Sequence, residues 1–144
     1  MNKIFKGRMH RWIFMSAISV ITIGLSSCST MKPFTNILPE KAEPVIQKGV
    51  QEGKIILIDV RTPEEFNSGY IADAINMNIN SEFFDAQIDE LDKTKTYIVY
   101  CKMGGRSAMA MTLMKEKGFK KVFNLQGGIM QWQKENRPVV TTTK

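Results

Sequence analysis

The runs Ile55-Ile56-Leu57-Ile58, Thr96-Tyr97-Ile98-Val99-Tyr100 and Lys121-Val122-Phe123-Asn124-Leu125 constrain this chain more than any other feature. Each is short, β-branched or aromatic, and near-continuously apolar, as expected of a strand covered on both faces of a parallel sheet. Helical stretches separate them. Residues 40–51 place Val45, Ile46 and Val50 on one side and stop at Gly53. Thr62-Pro63-Glu64-Glu65 supplies an N-cap, a proline at the first helical position and the glutamate of a capping box, opening a short helix that Gly69 closes. Residues 75–79 form a further short strand, and residues 81–91 a helix with Phe84, Ile88 and Leu91 at helical spacing. Residues 107–117 give a helix ending at Gly118, and residues 128–136 the last one. Strand and helix alternating at such intervals predict an α/β fold, a central mostly parallel sheet flanked by helices on both faces in three layers.

The first 27 residues are set apart from that pattern. Lys3, Lys6, Arg8 and Arg11 come without an acid, and residues 13–25 form an uncharged apolar run of thirteen, too short for a membrane span, which needs about 20. Leu25-Ser26-Ser27-Cys28 resembles the bacterial lipobox, whose cysteine is lipidated and becomes the first mature residue. The expected organisation is a lipoprotein signal peptide over residues 1–27, a lipidated tether over 28–39, one domain over 40–138 and a tail over 139–144. Ser29 after an acylated Cys28 predicts export to the outer membrane, facing the periplasm. The full chain has 20 Lys+Arg against 14 Asp+Glu; without the leader's four basic residues the count is 16 against 14, a net +2. The basic character belongs mostly to the leader, which removes the main support for nucleic-acid binding.

The only histidine, His10, also lies in the leader. A mature chain without histidine has no Cys-His pair, no histidine general base and no His-containing metal site. With Cys28 acylated, Cys101 is the single free thiol, so no disulfide, CxxC pair or zinc cluster is available. Neither a metal nor a cofactor is expected.

Cys101 stands at the end of an apolar run and opens the stretch Cys101-Lys102-Met103-Gly104-Gly105-Arg106 before a helix. In parallel sheets ligands sit at the carboxyl ends of strands, and Asp59-Val60-Arg61 falls on the same edge. A thiolate is the reactive form, and at an unperturbed pKa of about 8.5 little of it exists at neutral pH. Gly104 and Gly105 permit positive φ, so that successive N–H groups can form an anion nest around the sulfur, and the following helix adds its positive end. Arg106 adds a full charge. A cation in a first helical turn opposes the macrodipole, so Arg106 points to a negative charge bound beside it. The bland alternative is a glycine turn with a bystander cysteine.

CKMGGRS resembles the Cys-x-x-Gly-x-Arg-Ser loop of rhodanese-like sulfurtransferases. Asp59-Val60-Arg61 with Glu65-Phe66, Gly69, Ile71, Ala74 and Asn76 is similar to that family's upstream signature, and Leu125-Gln126-Gly127-Gly128 with Trp132 to its closing element. The resemblance implies a single rhodanese domain acting as a thiosulfate sulfurtransferase-like enzyme: Cys101 takes sulfane sulfur from a small anionic donor as a persulfide, and a thiol or cyanide removes it. By the same analogy Arg106 holds the donor, and the amides of residues 102–106 stabilise the thiolate and persulfide. Lys102 either attracts anions or is solvated charge, and Met103 either lines the entrance or packs. Asp59 and Arg61 are expected to brace the loop edge as a charge pair, and Gly127, Gly128 and Trp132 to serve turn and packing. Met109, Met111 and Met114, with Ala108, Ala110 and Leu113, predict a helix buried nearly all round. Tyr70 and Asp73 stand where the family often has His and Gly, and Lys102 and Met103 replace the usual arginine and small polar residue. A non-enzymatic membrane-tethered binding module is the alternative, as is a phosphatase or arsenate reductase of related fold, whose loop is one residue longer.

Overall fold

The computed structural model describes residues 31–141. The leader and Cys28 lie outside the described residues. Ten elements follow one another: β1 (Thr35–Ile37), α1 (Pro39–Gln51), β2 (Ile55–Asp59), α2 (Pro63–Asn67), β3 (Ile75–Asn76), α3 (Phe84–Asp89), β4 (Thr96–Tyr100), α4 (Gly105–Glu116), β5 (Lys121–Leu125) and α5 (Gly128–Lys134). The strands form one five-stranded sheet in the order β1-β5-β4-β2-β3, every pair parallel. This is the expected α/β architecture.

Successive side chains of a strand point to opposite faces, and the two cores divide accordingly. Ile58, Tyr97, Val99 and Val122 pack with Phe84 and Ile88 of α3 and with Ala110 and Met114 of α4. Leu57, Ile98, Tyr100, Phe123 and Leu125 pack with Ala42 and Ile46 of α1 and with Ile129 and Trp132 of α5. Each fully buried Ile or Leu in these layers contributes roughly 1.5–3 kcal/mol. The register pairs Asp59 with Tyr100, so the chain leaves β2 and β4 side by side on one edge.

Several boundaries differ from those expected. The tether ends before residue 35, because Thr35–Ile37 pairs in parallel with β5. The unpaired backbone of an outer strand is satisfied there by even a three-residue partner, and so short a segment carries no periodic signal. Pro39 opens α1, a position where its missing N–H costs nothing. The C-terminal tail is also partly domain: Val140 and Tyr70 exchange two backbone hydrogen bonds of 2.8 Å each. The expected strand over 75–79 shortens to Ile75–Asn76, and the helix over 81–91 to Phe84–Asp89. Finally, α4 is not buried all round. Ser107, Ala110 and Met114 face the sheet, whereas Met109 is 66% exposed. A helix laid on an outer layer keeps one side in water whatever its composition.

Asp59 and Arg61 form the expected charge pair, directed at the Gly69 turn. Arg61 Nη2 and Nε donate to Asp59 Oδ2 at 2.6 and 2.9 Å, and Arg61 Nη2 also donates to the Gly69 carbonyl at 2.7 Å. Asn76 Nδ2 donates to the carbonyls of both residues, at 3.0 and 2.9 Å. Both side chains of the pair are buried. Removing the acid leaves a buried guanidinium uncompensated, so Asp59→Ala is expected to cost about 3–5 kcal/mol in urea denaturation. A loss within about 0.5 kcal/mol, typical of an unimportant surface site, would show that the pair braces nothing.

Candidate active site

Cys101 continues the alternation of β4: Tyr97, Val99 and Cys101 share the face that α4 covers. Its sulfur is thereby delivered beneath the first turn of α4. The loop that follows is fixed from behind by α5. Ile129 N–H donates to the Cys101 carbonyl at 2.9 Å and Met130 N–H to the Lys102 carbonyl at 3.1 Å. In a trans peptide the N–H points opposite to its carbonyl, so turning the Lys102 carbonyl toward α5 turns the Met103 N–H toward the sulfur. Gly104, at φ 100°, then brings its own N–H to 3.1 Å from Sγ. The clamp requires glycine at 128: at φ 57°, a Cβ there would lie 2.3 Å from the Cys101 carbonyl oxygen and 2.6 Å from that of Lys102. Gly127 and Gly128 thus serve turn and packing, as expected, with the packing directed at the loop itself. Gly105 adopts no positive φ and begins α4.

Burial pushes the Cys101 thiol up. The hydroxyl of Ser107 and the N–H groups of Ser107, Gly104 and Met103 outweigh it, and the net direction is below the ordinary thiol value. The residue is 2% exposed, under a loop whose Lys102, Met103 and Gly105 face solvent. The sulfur is buried, but against main-chain donors and a hydroxyl.

Ser107, which the loop motif contains but which was given no role, belongs to this site together with Asn124 and Asn36, which the sequence did not single out. Ser107 Oγ lies 3.4 Å from Cys101 Sγ and 2.6 Å from Asn124 Oδ1. Asn124 Nδ2 donates to the Gly104 carbonyl at 3.2 Å and to Asn36 Oδ1 at 2.9 Å. Because only an N–H can face the Gly104 carbonyl, the amide of Asn124 is oriented with its oxygen toward Ser107, so the one Ser107 hydroxyl proton is shared between Asn124 Oδ1 and Cys101 Sγ. A polar residue buried in the otherwise apolar β5 was the available signal.

Arg106 has an unexpected partner. Its Nη1 and Nη2 donate to Glu65 Oε2 and Oε1 at 2.7 and 2.8 Å, with side chains 28% and 30% exposed. The negative charge that Arg106 called for is supplied by the chain itself, from α2. Glu65 also completes the capping box: Thr62 N–H donates to Oε2 at 3.3 Å, and Glu65 N–H to Thr62 Oγ1 at 3.3 Å. The Arg106 guanidinium holds the Glu65 carboxyl at about 2, against the upward push of burial. Arg106 also interacts with the Cys101 sulfur. Asp59 and Arg61, by contrast, bond to each other, with Arg61 also bonding the Gly69 carbonyl, and Arg61 reaches this cluster only through its charge, which helps to lower Glu65. No three His, Cys, Asp or Glu side chains come together as metal ligands among the described residues.

Residues 44–135 match the family model for the rhodanese-like domain. The chain is 30% identical over 99 residues to a sulfurtransferase of Allochromatium vinosum, covering 69% of this chain and 91% of that one. It is 32% identical over 103 residues to a thiosulfate sulfurtransferase of Pseudomonas syringae, covering 72% and 91%. A rhodanese-related protein of Thermoplasma volcanium superposes with a TM-score of 0.63 at 30% identity, over 75% of this chain and 99% of that one.

The Ser107 hydroxyl favours the anionic form of Cys101, so removing it raises the pKa. Ser107→Ala is expected to move the midpoint of thiol alkylation to higher pH and to slow alkylation at neutral pH. An unmoved midpoint would mean that the main-chain amides alone set the acidity.

Proposed function

The chain belongs to the rhodanese-like domain family, and from that premise we propose that it moves sulfane sulfur from a thiosulfate-type donor, through a persulfide on Cys101, to a thiol or cyanide acceptor. The observation that carries the reading is the sulfur's surroundings, with the Gly104 N–H at 3.1 Å and the amides of Met103 and Ser107 aimed at it. Such donors favour the thiolate and, once it forms, the terminal sulfur of a persulfide.

In the first half-reaction the Cys101 thiolate attacks the outer sulfur of the donor. A new S–S bond forms as the donor's S–S bond breaks, and sulfite leaves with the electron pair. In the second, the acceptor attacks the terminal sulfur and the Cys101 thiolate departs. No oxidant or reductant is consumed. Lys102, exposed on the loop, attracts the anionic donor, Arg106 meets it in competition with Glu65, and Met103, 68% exposed, forms part of the entrance. The span from Cys101 to Arg106 is six residues, one fewer than in the phosphatase type of loop, which suits a sulfur atom better than a tetrahedral oxyanion. A binding-only module would need neither the thiolate nor the amides around it.

We further propose that the domain acts as an exported lipoprotein, held by acylated Cys28 at the outer membrane and facing the periplasm. The basic, apolar and small-residue order of residues 1–27 supports this. With β1 beginning at Thr35, the six residues 29–34 would reach at most about 20 Å, keeping the domain close to the membrane surface.

Incubation of the full chain with thiosulfate is expected to add the mass of one sulfur atom. The adduct should disappear with a thiol reductant and be absent from Cys101→Ser. No adduct with any sulfane donor, or an adduct that survives Cys101→Ser, would refute the sulfur-transfer reading.

A further inference from the structure

Arg106 is the only arginine of the Cys101 loop, and its two terminal nitrogens are both engaged by Glu65. A guanidinium recognises an oxyanion best through a two-pronged fork of this kind. Here that fork is already filled by a carboxylate from α2, and a donor meets it only in competition. The pairing is also not an incidental surface contact. Glu65 is anchored a second time by the Thr62 N–H within the capping box, so much of the side-chain entropy that weakens exposed ion pairs has been given up already.

We propose that Glu65 is a specificity-determining residue which, by neutralising Arg106, makes the Cys101 site favour monoanionic sulfane donors over dianionic ones; the inference rests on the sulfur-transfer reading above. The charges around the reacting sulfur carry the argument. When Cys101 is a thiolate, Arg106 cancels one negative charge, but Glu65 restores it, leaving Lys102 as the other cation of the loop. Every additional negative charge on the donor then meets a carboxylate as well as the thiolate it must approach. The Arg106 guanidinium holds the Glu65 carboxyl well below the usual carboxylate range, so its charge is present near neutrality.

The probe pair is thiosulfate, a dianion, and methanethiosulfonate, in which a methyl group replaces one charged oxygen. Both deliver the same sulfane sulfur: the thiolate forms an S–S bond to it, and sulfite or methanesulfinate departs with the electrons of the broken bond. In Glu65→Gln the side-chain carbonyl still accepts from Thr62 N–H, while the amide nitrogen releases one prong of Arg106. Persulfide formation on the full chain is measured for both donors with wild type and Glu65→Gln. The ratio of kcat/KM for thiosulfate to that for methanethiosulfonate is expected to rise roughly five- to tenfold in the variant, mainly through a lower KM for thiosulfate, as one charge pair in a partly solvated site would give. An unchanged ratio overturns the inference, including the case in which both donors and the melting temperature fall together, which is what a purely structural role gives. Should the variant not fold, the wild type decides. A cancelled guanidinium predicts a thiosulfate KM that rises less than about twofold between low and physiological salt, whereas a steep rise, the sign of an unshielded cation, overturns it. Failure of both donors to leave any sulfur on Cys101 would refute sulfur transfer itself; adducts with an unchanged ratio would refute only the role of Glu65.

Discussion

The orientation of two peptide planes decides what Cys101 is. Bonds from Ile129 and Met130 N–H hold the carbonyls of Cys101 and Lys102 against α5, and the loop's own amides are thereby committed to the opposite side, where the sulfur lies. Without that clamp the same thiol would be a 2% exposed sulfur in a core cluster, and burial alone would keep it neutral and inert. With it, burial turns from a liability into an advantage, because in a medium of low polarity each aligned N–H acts more strongly on an anion than it would in water. Gly128 is therefore as much a requirement of the site as Gly104. One lets α5 approach the loop, and the other lets the loop complete its turn into α4.

The charge balance rests on a second link, between helices that are remote in sequence. A cation in the first turn of α4 opposes that helix's dipole, typically by 0.3–1 kcal/mol. A carboxylate in the first turn of α2 does the reverse, and bonding the two offsets the unfavourable placement. Glu65 thus caps α2, compensates Arg106 and sets the net charge near the sulfur, all with two oxygens. Adjacent strands make this possible: β2 and β4 are in register at Asp59 and Tyr100, so the helices that follow them start side by side. Behind them the Asp59–Arg61 pair ties β2 to the Gly69 turn, fixing where α2 can sit.

Much of this was legible in the amino-acid order, and what was not shares one physical character. Continuous apolar runs marked β2, β4 and β5 almost to the residue, because strands covered on both faces leave no room for polar alternation. The loop announced its chemistry by placing a cysteine where the chain becomes glycine-rich and basic. The features that stayed hidden depend on partners distant along the chain. β1 exists because β5 offers it an edge, and Val140 is ordered because Tyr70 faces it. Arg106 meets Glu65 across 41 positions, and Asn124 joins Ser107 with Asn36. The methionines of α4 misled for a related reason: composition counts apolar residues, but burial depends on which side of the helix the sheet occupies. Residues 1–30, on which the proposed export and lipidation rest, lie outside the described residues.

The lack of a histidine anywhere but position 10 narrows what a polarised thiolate in this setting can accomplish. Acyl or phosphoryl transfer by cysteine ends with a leaving group that must usually be protonated, and the general acid for that task is most often histidine. Sulfane transfer makes no such demand. The attacking thiolate and the departing sulfite are both stable anions, the sulfur passes between them without a proton, and the enzyme has only to hold negative charge in the right place. A ring of amides, one hydroxyl and a guanidinium whose charge is tempered by a carboxylate do that and little else. The site's poverty in acid–base groups is thus itself an argument for the kind of reaction it suits.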